Sequence, residues 1–199
     1  MTLDRFRPVA DRALQPFVRL SVGLGLTPDA VSVLAFLVAV AAAATFAVGG
    51  PWYLAGAVLV FANGWLDLLD GRLARELDVA SPTGDLVDHV LDRYADVVIV
   101  AGLAAGIGRY GLGFAAITGV LLTSYLGTQA QAVGLERVYG GVLGRADRLA
   151  LVGVAAVVAT VVRDPVAGLS VVGWLLVVFA VVGHVTAIQR FYSALRQLS

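Results

Sequence analysis

Four aspartates are regularly spaced in an otherwise apolar part of the chain, and their type and spacing indicate metal-dependent chemistry. Asp67 and Asp70 lie three residues apart, and Asp88 and Asp92 lie four residues apart. On a helix, either spacing places both carboxylates on one face. Two such pairs facing each other form an all-oxygen site, which Mg²⁺ and Mn²⁺ prefer. The sequence therefore predicts that Asp67, Asp70, Asp88 and Asp92 bind one or two divalent ions.

A simpler interpretation is that these carboxylates lie in a water-filled vestibule or balance the charge of Arg72, Arg75 and Arg93. An aspartate at the middle of a membrane costs roughly 2.5–3.5 kcal/mol on insertion scales. Carboxylates this close together also repel one another. Such a cluster within apolar segments therefore favours a functional site.

Small residues and an arginine accompany the aspartates. Gly71 follows Asp70, and Ala74 and Gly84 lack bulk where a ligand would approach the backbone. Small residues also let membrane helices pack closely, so Gly71 alone indicates little. Arg75 adds a fixed cation one turn beyond Asp70. Together, these residues indicate a phosphate-bearing ligand held by metal ions and a guanidinium.

Membrane helices must position these residues. The chain is 59% hydrophobic and only 14% charged, and its mean hydropathy of +0.88 lies outside the range of ordinary soluble domains. Several uncharged runs are long enough to cross a hydrocarbon core of roughly 30 Å. The chain has no cysteine, which excludes thiol chemistry. We therefore predict an all-α integral membrane protein with no nucleic-acid partner.

Six transmembrane helices are expected after an N-terminal interfacial amphipathic helix. The expected spans are 27–48, 52–75, 84–107, 112–133, 148–162 and 166–191. Residues 1–26 are too charged to be typical of a signal peptide, and Leu14, Phe17 and Val18 recur at helical spacing. The chain thus divides into a juxtamembrane interfacial segment, 1–26, and a six-helix transmembrane catalytic domain, 27–199.

The distribution of arginines predicts the orientation in the membrane. The connections on one side hold Arg5, Arg7, Arg12, Arg19, Arg72, Arg75, Arg137, Arg145, Arg148, Arg190 and Arg196. The opposite connections hold only Arg109 and Arg163. Because cytoplasmic loops carry the excess of basic residues, both termini and the aspartates are expected on the cytoplasmic side of the cell membrane.

The pattern Asp67-x2-Asp70-Gly71-x2-Ala74-Arg75-x8-Gly84-x3-Asp88-x3-Asp92 resembles, at every fixed position, the signature of the CDP-alcohol phosphatidyltransferase family. The resemblance implies that an alcohol hydroxyl attacks the lipid-linked phosphorus of CDP-diacylglycerol or CDP-archaeol, and that CMP leaves. It also implies a homodimer among membrane lipids.

The same resemblance implies roles for the motif residues. Two divalent ions, Mg²⁺ or Mn²⁺, would be bound by Asp67, Asp70 and Asp88, and Asp92 would complete the metal shell and act as the catalytic general base. The nucleotide of the CDP-lipid would contact Asp67, Asp70, Gly71, Ala74, Arg75 and Gly84.

Motifs further along resemble the branch of the family that makes phosphatidylinositol phosphate or its archaeal equivalent. These are Asp92-Arg93-x2-Asp96, Ser124-Tyr125, Gly144-Arg145-Ala146-Asp147-Arg148-Leu149 and Gln189-Arg190. The resemblance implies that Ser124, Arg145, Arg148 and Arg190 bind the acceptor. For each arginine, anchoring at the inner membrane surface is an alternative explanation.

The acceptor itself stays open at this stage. Gly127 and Gln129 stand where that branch usually has basic residues, so two cations of a phosphate pocket are missing. The acceptor could be inositol phosphate, glycerol phosphate or an unphosphorylated alcohol such as serine.

Two other classes of protein use comparable carboxylate clusters. A membrane prenyltransferase would release pyrophosphate instead of CMP, typically has more spans, and lacks the Gly-x2-Ala-Arg element. A cation transporter would carry ions across a liposome membrane and catalyse no reaction.

Overall fold

The computed structural model describes residues 7–136 and 143–198, with side chains from residue 12 onward. These residues form seven α-helices: α1 (Arg7–Gly23), α2 (Pro28–Val48), α3 (Trp52–Glu76), α4 (Pro82–Gly106), α5 (Tyr110–Ala132), α6 (Arg145–Val161) and α7 (Val171–Leu198). Residues 1–6 of the expected interfacial segment lie outside the described part, as do Arg5 and Arg137 from the orientation count. The predicted all-α fold is confirmed.

Local capping sets where the helices begin around the aspartates. The Thr27 hydroxyl accepts a hydrogen bond from the Ala30 N–H at 3.2 Å, and Pro28 takes the first helical position of α2. The Ser81 hydroxyl accepts one from the Gly84 N–H at 3.1 Å. This cap starts α4 at Pro82, slightly before the predicted Gly84.

Two helices begin elsewhere than predicted. The Gly144 N–H donates to Asp147 Oδ2 at 3.0 Å, which extends the start of α6 back to Arg145. In contrast, α7 begins at Val171 instead of Val166. The reason is a tight turn in which Ala167 and Gly168 adopt left-handed φ values of 50° and 78°, a conformation that ends helices.

The prediction of six membrane spans is confirmed only in part. Among the described helices, α2, α3, α5 and α7 are long and apolar enough to cross a membrane. The other two expected spans fall short for different reasons. The α4 helix carries Asp85, Asp88, Asp92, Arg93 and Asp96 in its first four turns, and α6 is only 17 residues long.

Helices α2 to α7 nevertheless share one apolar core. Phe46, Val60, Leu103 and Leu176, which lie on four different helices, are completely buried in it. The α4 backbone approaches α2 closely, because a side chain at Gly102 would collide with the Ala43 backbone. The glycine-rich stretch 102–108 therefore contacts a helix of the same chain.

The first helix packs on α3. Leu14 and Val18 of α1 are buried against Leu69 and Leu73. The Phe17 and Trp65 rings meet edge to face with centroids 5.5 Å apart. The expected apolar face of this segment is thus divided, with Leu14 and Val18 buried in the protein and Phe17 about half exposed. This packing fixes α1 beside the helix that carries Asp67 and Asp70.

Candidate active site

Three of the four motif aspartates converge at one end of the helix bundle. The α3 helix ends and α4 begins at this end, so the last turns of one face the first turns of the other. One carboxylate oxygen each from Asp67, Asp70 and Asp88 lie within 4.8 Å of one another. An all-oxygen, all-carboxylate donor set of this size fits a hard divalent cation such as Mg²⁺ or Mn²⁺.

A serine of α2 orients one of these carboxylates. Asp70 is only 4% exposed, and its Oδ2 accepts a hydrogen bond from the Ser32 hydroxyl at 2.7 Å. The Ser32 oxygen also lies 3.2 Å from the Pro28 carbonyl. The motif gave no indication of Ser32, because this contact joins residues 38 positions apart.

Asp92 is not among the three clustered carboxylates, although it lines the same small cavity as they do. Its Oδ1 lies 2.7 Å from Nη2 of Arg145, whose Nη1 lies 2.5 Å from Oδ1 of Asp67. An arginine predicted to bind the acceptor therefore bridges a predicted metal ligand and the predicted base.

Asp96, which lies one turn beyond Asp92 on α4, contacts three arginines. Its Oδ2 accepts a hydrogen bond from Arg148 at 2.8 Å and lies 3.4 Å from Arg93. Its Oδ1 lies 3.8 Å from Nε of Arg145. Asp96 is 6% exposed, and a buried carboxylate normally needs charged partners of this kind. The sequence motif contained Asp96 but did not identify it as the centre of this cluster.

Of the remaining predicted acceptor residues, Ser124 joins this network directly, and Arg190 contacts the residue that precedes Ser124. Arg93 donates a hydrogen bond to the Ser124 hydroxyl. The backbone carbonyl of Thr123, the residue before Ser124, accepts a hydrogen bond from Nη1 of Arg190 at 2.5 Å. The structure thus brings together Ser124, Arg145, Arg148 and Arg190, which are distributed over α5, α6 and α7.

A groove opens beside the carboxylates, between α2, α3, α4 and the connection from α3 to α4. It has a volume of about 470 Å³, within the range of roughly 300–1,000 Å³ typical of ligand pockets. Five of the six residues predicted to contact the nucleotide line it, namely Asp70, Gly71, Ala74, Arg75 and Gly84. The sixth, Asp67, lines the small cavity that contains Asp92.

Residues outside the motif also line the groove. Leu77, Val79 and Ala80, from the connection between α3 and α4, contribute apolar surface, and Thr27 and Asp29 contribute polar groups from the start of α2. The groove therefore offers apolar surface, a guanidinium and carboxylates along one opening.

Known proteins include a family and individual relatives that this chain matches along most of its length. The model of the CDP-alcohol phosphatidyltransferase family matches residues 25–181. The archaetidylinositol phosphate synthase of Methanothermobacter thermautotrophicus is 33% identical over 194 residues, which cover 94% of this chain and 91% of the relative.

Two solved structures of the Mycobacterium tuberculosis phosphatidylinositol phosphate synthase are also similar. The complex with manganese and citrate superposes with a TM-score of 0.80 at 28% identity, covering 91% of this chain and 88% of the other. The form with CDP-DAG bound gives a TM-score of 0.79 at 29% identity, covering 92% and 94%.

Fold and site together define a metal-dependent, helical membrane transferase. The chain belongs to the CDP-alcohol phosphatidyltransferase family. It transfers the lipid phosphate of a CDP-lipid to the hydroxyl of a polar alcohol, releases CMP, and uses Mg²⁺ or Mn²⁺ as cofactor. The family match excludes the prenyltransferase and cation-transporter alternatives.

Proposed function

We propose that the acceptor is a phosphorylated polyol, with inositol phosphate the best supported candidate. The observation that carries this proposal is the arginine network beside Asp92, in which Arg145 and Arg148 converge on Asp96. Guanidinium groups suit the recognition of a phosphate monoester because their donors match its oxygens in pairs. The similar proteins from Methanothermobacter and Mycobacterium are an archaetidylinositol phosphate synthase and a phosphatidylinositol phosphate synthase, which supports the same class of acceptor.

The donor is proposed to bind in the groove between α2, α3 and α4, with its nucleotide against Gly71 and Ala74. Gly71 and Ala74 have little side-chain bulk, so a ligand could lie close to the α3 backbone. Arg75 also lines the groove, where it could reach a phosphate. The mycobacterial structure with CDP-DAG bound supports a CDP-diacylglycerol donor, and the archaeal relative supports CDP-archaeol. Both donors share the cytidine diphosphate group that this groove would recognise.

Asp67, Asp70 and Asp88 would hold the divalent ions, and Asp92 would serve as a further ligand and as the general base. Bound metal ions neutralise the negative charge of the pyrophosphate in such sites. Asp92 would take the proton of the acceptor hydroxyl as its oxygen bonds to the lipid-linked phosphorus. The bond from that phosphorus to the CMP oxygen breaks, and CMP leaves as the anion. Positioning contributes most of the remaining rate enhancement.

We further propose how the protein lies in the membrane. The α4 and α6 helices would complete six spans, because they bury their apolar residues in the same core as the four apolar helices. The positive-inside rule favours a cytoplasmic location for both termini and for the aspartates. Residues 1–26 would lie at the cytoplasmic surface beside the catalytic domain, 27–199. A homodimer is proposed from membership of the family.

The acceptor is tested by measuring release of CMP from CDP-diacylglycerol and CDP-archaeol with Mn²⁺ present. Inositol phosphate, glycerol phosphate, serine and free inositol are compared as acceptors. The proposal predicts the highest kcat/KM for inositol phosphate and little turnover with free inositol. A preference for serine or free inositol would contradict it.

A further inference from the structure

Arg145 lies where the metal site meets the predicted acceptor site. Its guanidinium contacts Asp67 at 2.5 Å, Asp92 at 2.7 Å and Asp96 at 3.8 Å. The side chain is only 14% exposed. One cation is therefore shared among a predicted metal ligand, the predicted base and the buried carboxylate that organises the other arginines.

The guanidinium is shared between carboxylates instead of being paired with one of them. Its Nη1 lies 2.5 Å from Asp67 and its Nη2 lies 2.7 Å from Asp92, whereas its buried Nε has no hydrogen-bond partner among the described residues. Arginine binds carboxylates and phosphates best through two parallel N–H donors to one group. Arg145 therefore makes no such two-donor pair with either carboxylate, and its buried Nε carries the cost of an unpaired donor.

A divalent ion at the carboxylate cluster would be attracted to a carboxylate that also contacts Arg145. Asp67 belongs to the group of three oxygens that fits a metal ion, and the same carboxylate is in contact with Arg145. A guanidinium and a divalent cation repel each other, and this repulsion is strong where little water screens it. Binding of the ion would therefore weaken the hold of Asp67 on Arg145.

We propose that Arg145 and the divalent ions compete for Asp67, so that metal binding releases the guanidinium toward the phosphate of the acceptor. The competition depends only on the carboxylates, whereas the release toward a phosphate rests on the proposed function. Because coupling between two ligands is reciprocal, an acceptor phosphate that engages Arg145 must also tighten metal binding.

The competition is tested by the Kd of Mn²⁺, measured by electron paramagnetic resonance on purified protein without lipid substrate. Arg145→Gln removes the competing charge and is expected to lower the Kd on the order of tenfold. Arg145→Lys keeps a cation and should stay near the wild-type Kd. Arg72→Gln is the matched control, because Arg72 contacts Gln15 and Glu76 and none of the motif carboxylates, and its Kd should change by less than about twofold. An unchanged or higher Kd in Arg145→Gln overturns the competition.

The release toward the acceptor is tested on the wild-type protein, which also keeps the proposal falsifiable if Arg145→Gln does not fold. Saturating inositol phosphate should lower the Mn²⁺ Kd about fivefold or more, after correction for Mn²⁺ bound by the free compound. Free inositol should leave it unchanged. An equal Kd with and without inositol phosphate overturns the coupling. If the acceptor panel instead favours serine, the proposed function fails, while the Arg145→Gln result still decides the competition.

Discussion

On the proposed donor side of the carboxylates, Gly71 and Ala74 line an open groove of about 470 Å³. On the proposed acceptor side, Arg93, Arg145 and Arg148 are bonded to Asp92 and Asp96, and the cavity around Asp92 and Arg145 is far smaller, at about 10 Å³. From this difference we infer that the two substrates would be recognised in different ways. The small residues would leave room for a nucleotide in the groove, whereas the arginines, paired with carboxylates in this structure, would supply positive charge for a phosphate monoester.

The largest effect is expected at Asp92, which lies between the two sides. Asp92→Asn removes the proposed base, and general-base catalysis is worth about 10²–10⁴-fold in rate. We expect kcat to fall by that amount while the Kd of the CDP-lipid stays within about twofold. CMP release and equilibrium binding of the CDP-lipid measure the two quantities. A variant that turns over normally, or that loses only CDP-lipid binding, would argue against the base role.

The second-largest effect is expected at the metal site, which lies between the two sides. Ser32→Ala removes the hydrogen bond to Asp70, and loss of such a supporting contact typically costs about 10–100-fold in metal affinity. The Kd of Mn²⁺ measures this. Ser32→Thr keeps a hydroxyl group and should recover most of the affinity. Equal Mn²⁺ affinity for Ser32→Ala and the wild type would show that Ser32 only fills space.

The third effect tests the acceptor side. Asp96→Asn removes the buried carboxylate that positions Arg148 and Arg145, so the guanidinium groups lose their placement and the KM for the acceptor should rise about tenfold or more. The KM for the CDP-lipid should stay within about twofold, because Asp96 does not line the groove. The melting temperature should also fall, because a buried ion pair that loses one charge is destabilising. Equal changes in both KM values would contradict a specific role on the acceptor side.

The smallest effect is expected on the donor side. Arg75 is exposed at the groove, and exposed charge contacts are worth little, so Arg75→Gln should raise the KM for the CDP-lipid only about two- to fivefold. Arg72→Gln is the matched control one turn of helix away, since Arg72 contacts Gln15 and Glu76 instead. A larger rise in the acceptor KM than in the CDP-lipid KM would reverse the assignment of the two sides.

That the motif residues of α3 share one surface could be predicted from the sequence, because these residues are local. Asp70, Gly71, Ala74 and Arg75 lie on one helix and need only helical spacing to share a surface. The all-α fold followed from composition, and the predicted span 27–48 agrees to within one residue with the start of α2 at Pro28.

The acceptor side could not be predicted to the same depth, because its contacts depend on how distant helices pack. Asp96 contacts Arg148 across 52 positions in the sequence, and Arg93 contacts Ser124 across 31. The motif named most of these residues without their partners. The prediction of six spans is confirmed only in part for a related reason, since α4 carries the carboxylates of the site and loses its apolar composition there.

The acceptor panel tests the central claim most directly. With Mn²⁺ and CDP-diacylglycerol or CDP-archaeol, CMP release is compared for inositol phosphate and free inositol, which differ only in the phosphate that the arginines would bind. The account predicts a kcat/KM for inositol phosphate at least about 100-fold higher, in line with the loss of charged hydrogen bonds to a buried phosphate. Equal kcat/KM values for the two acceptors would contradict it.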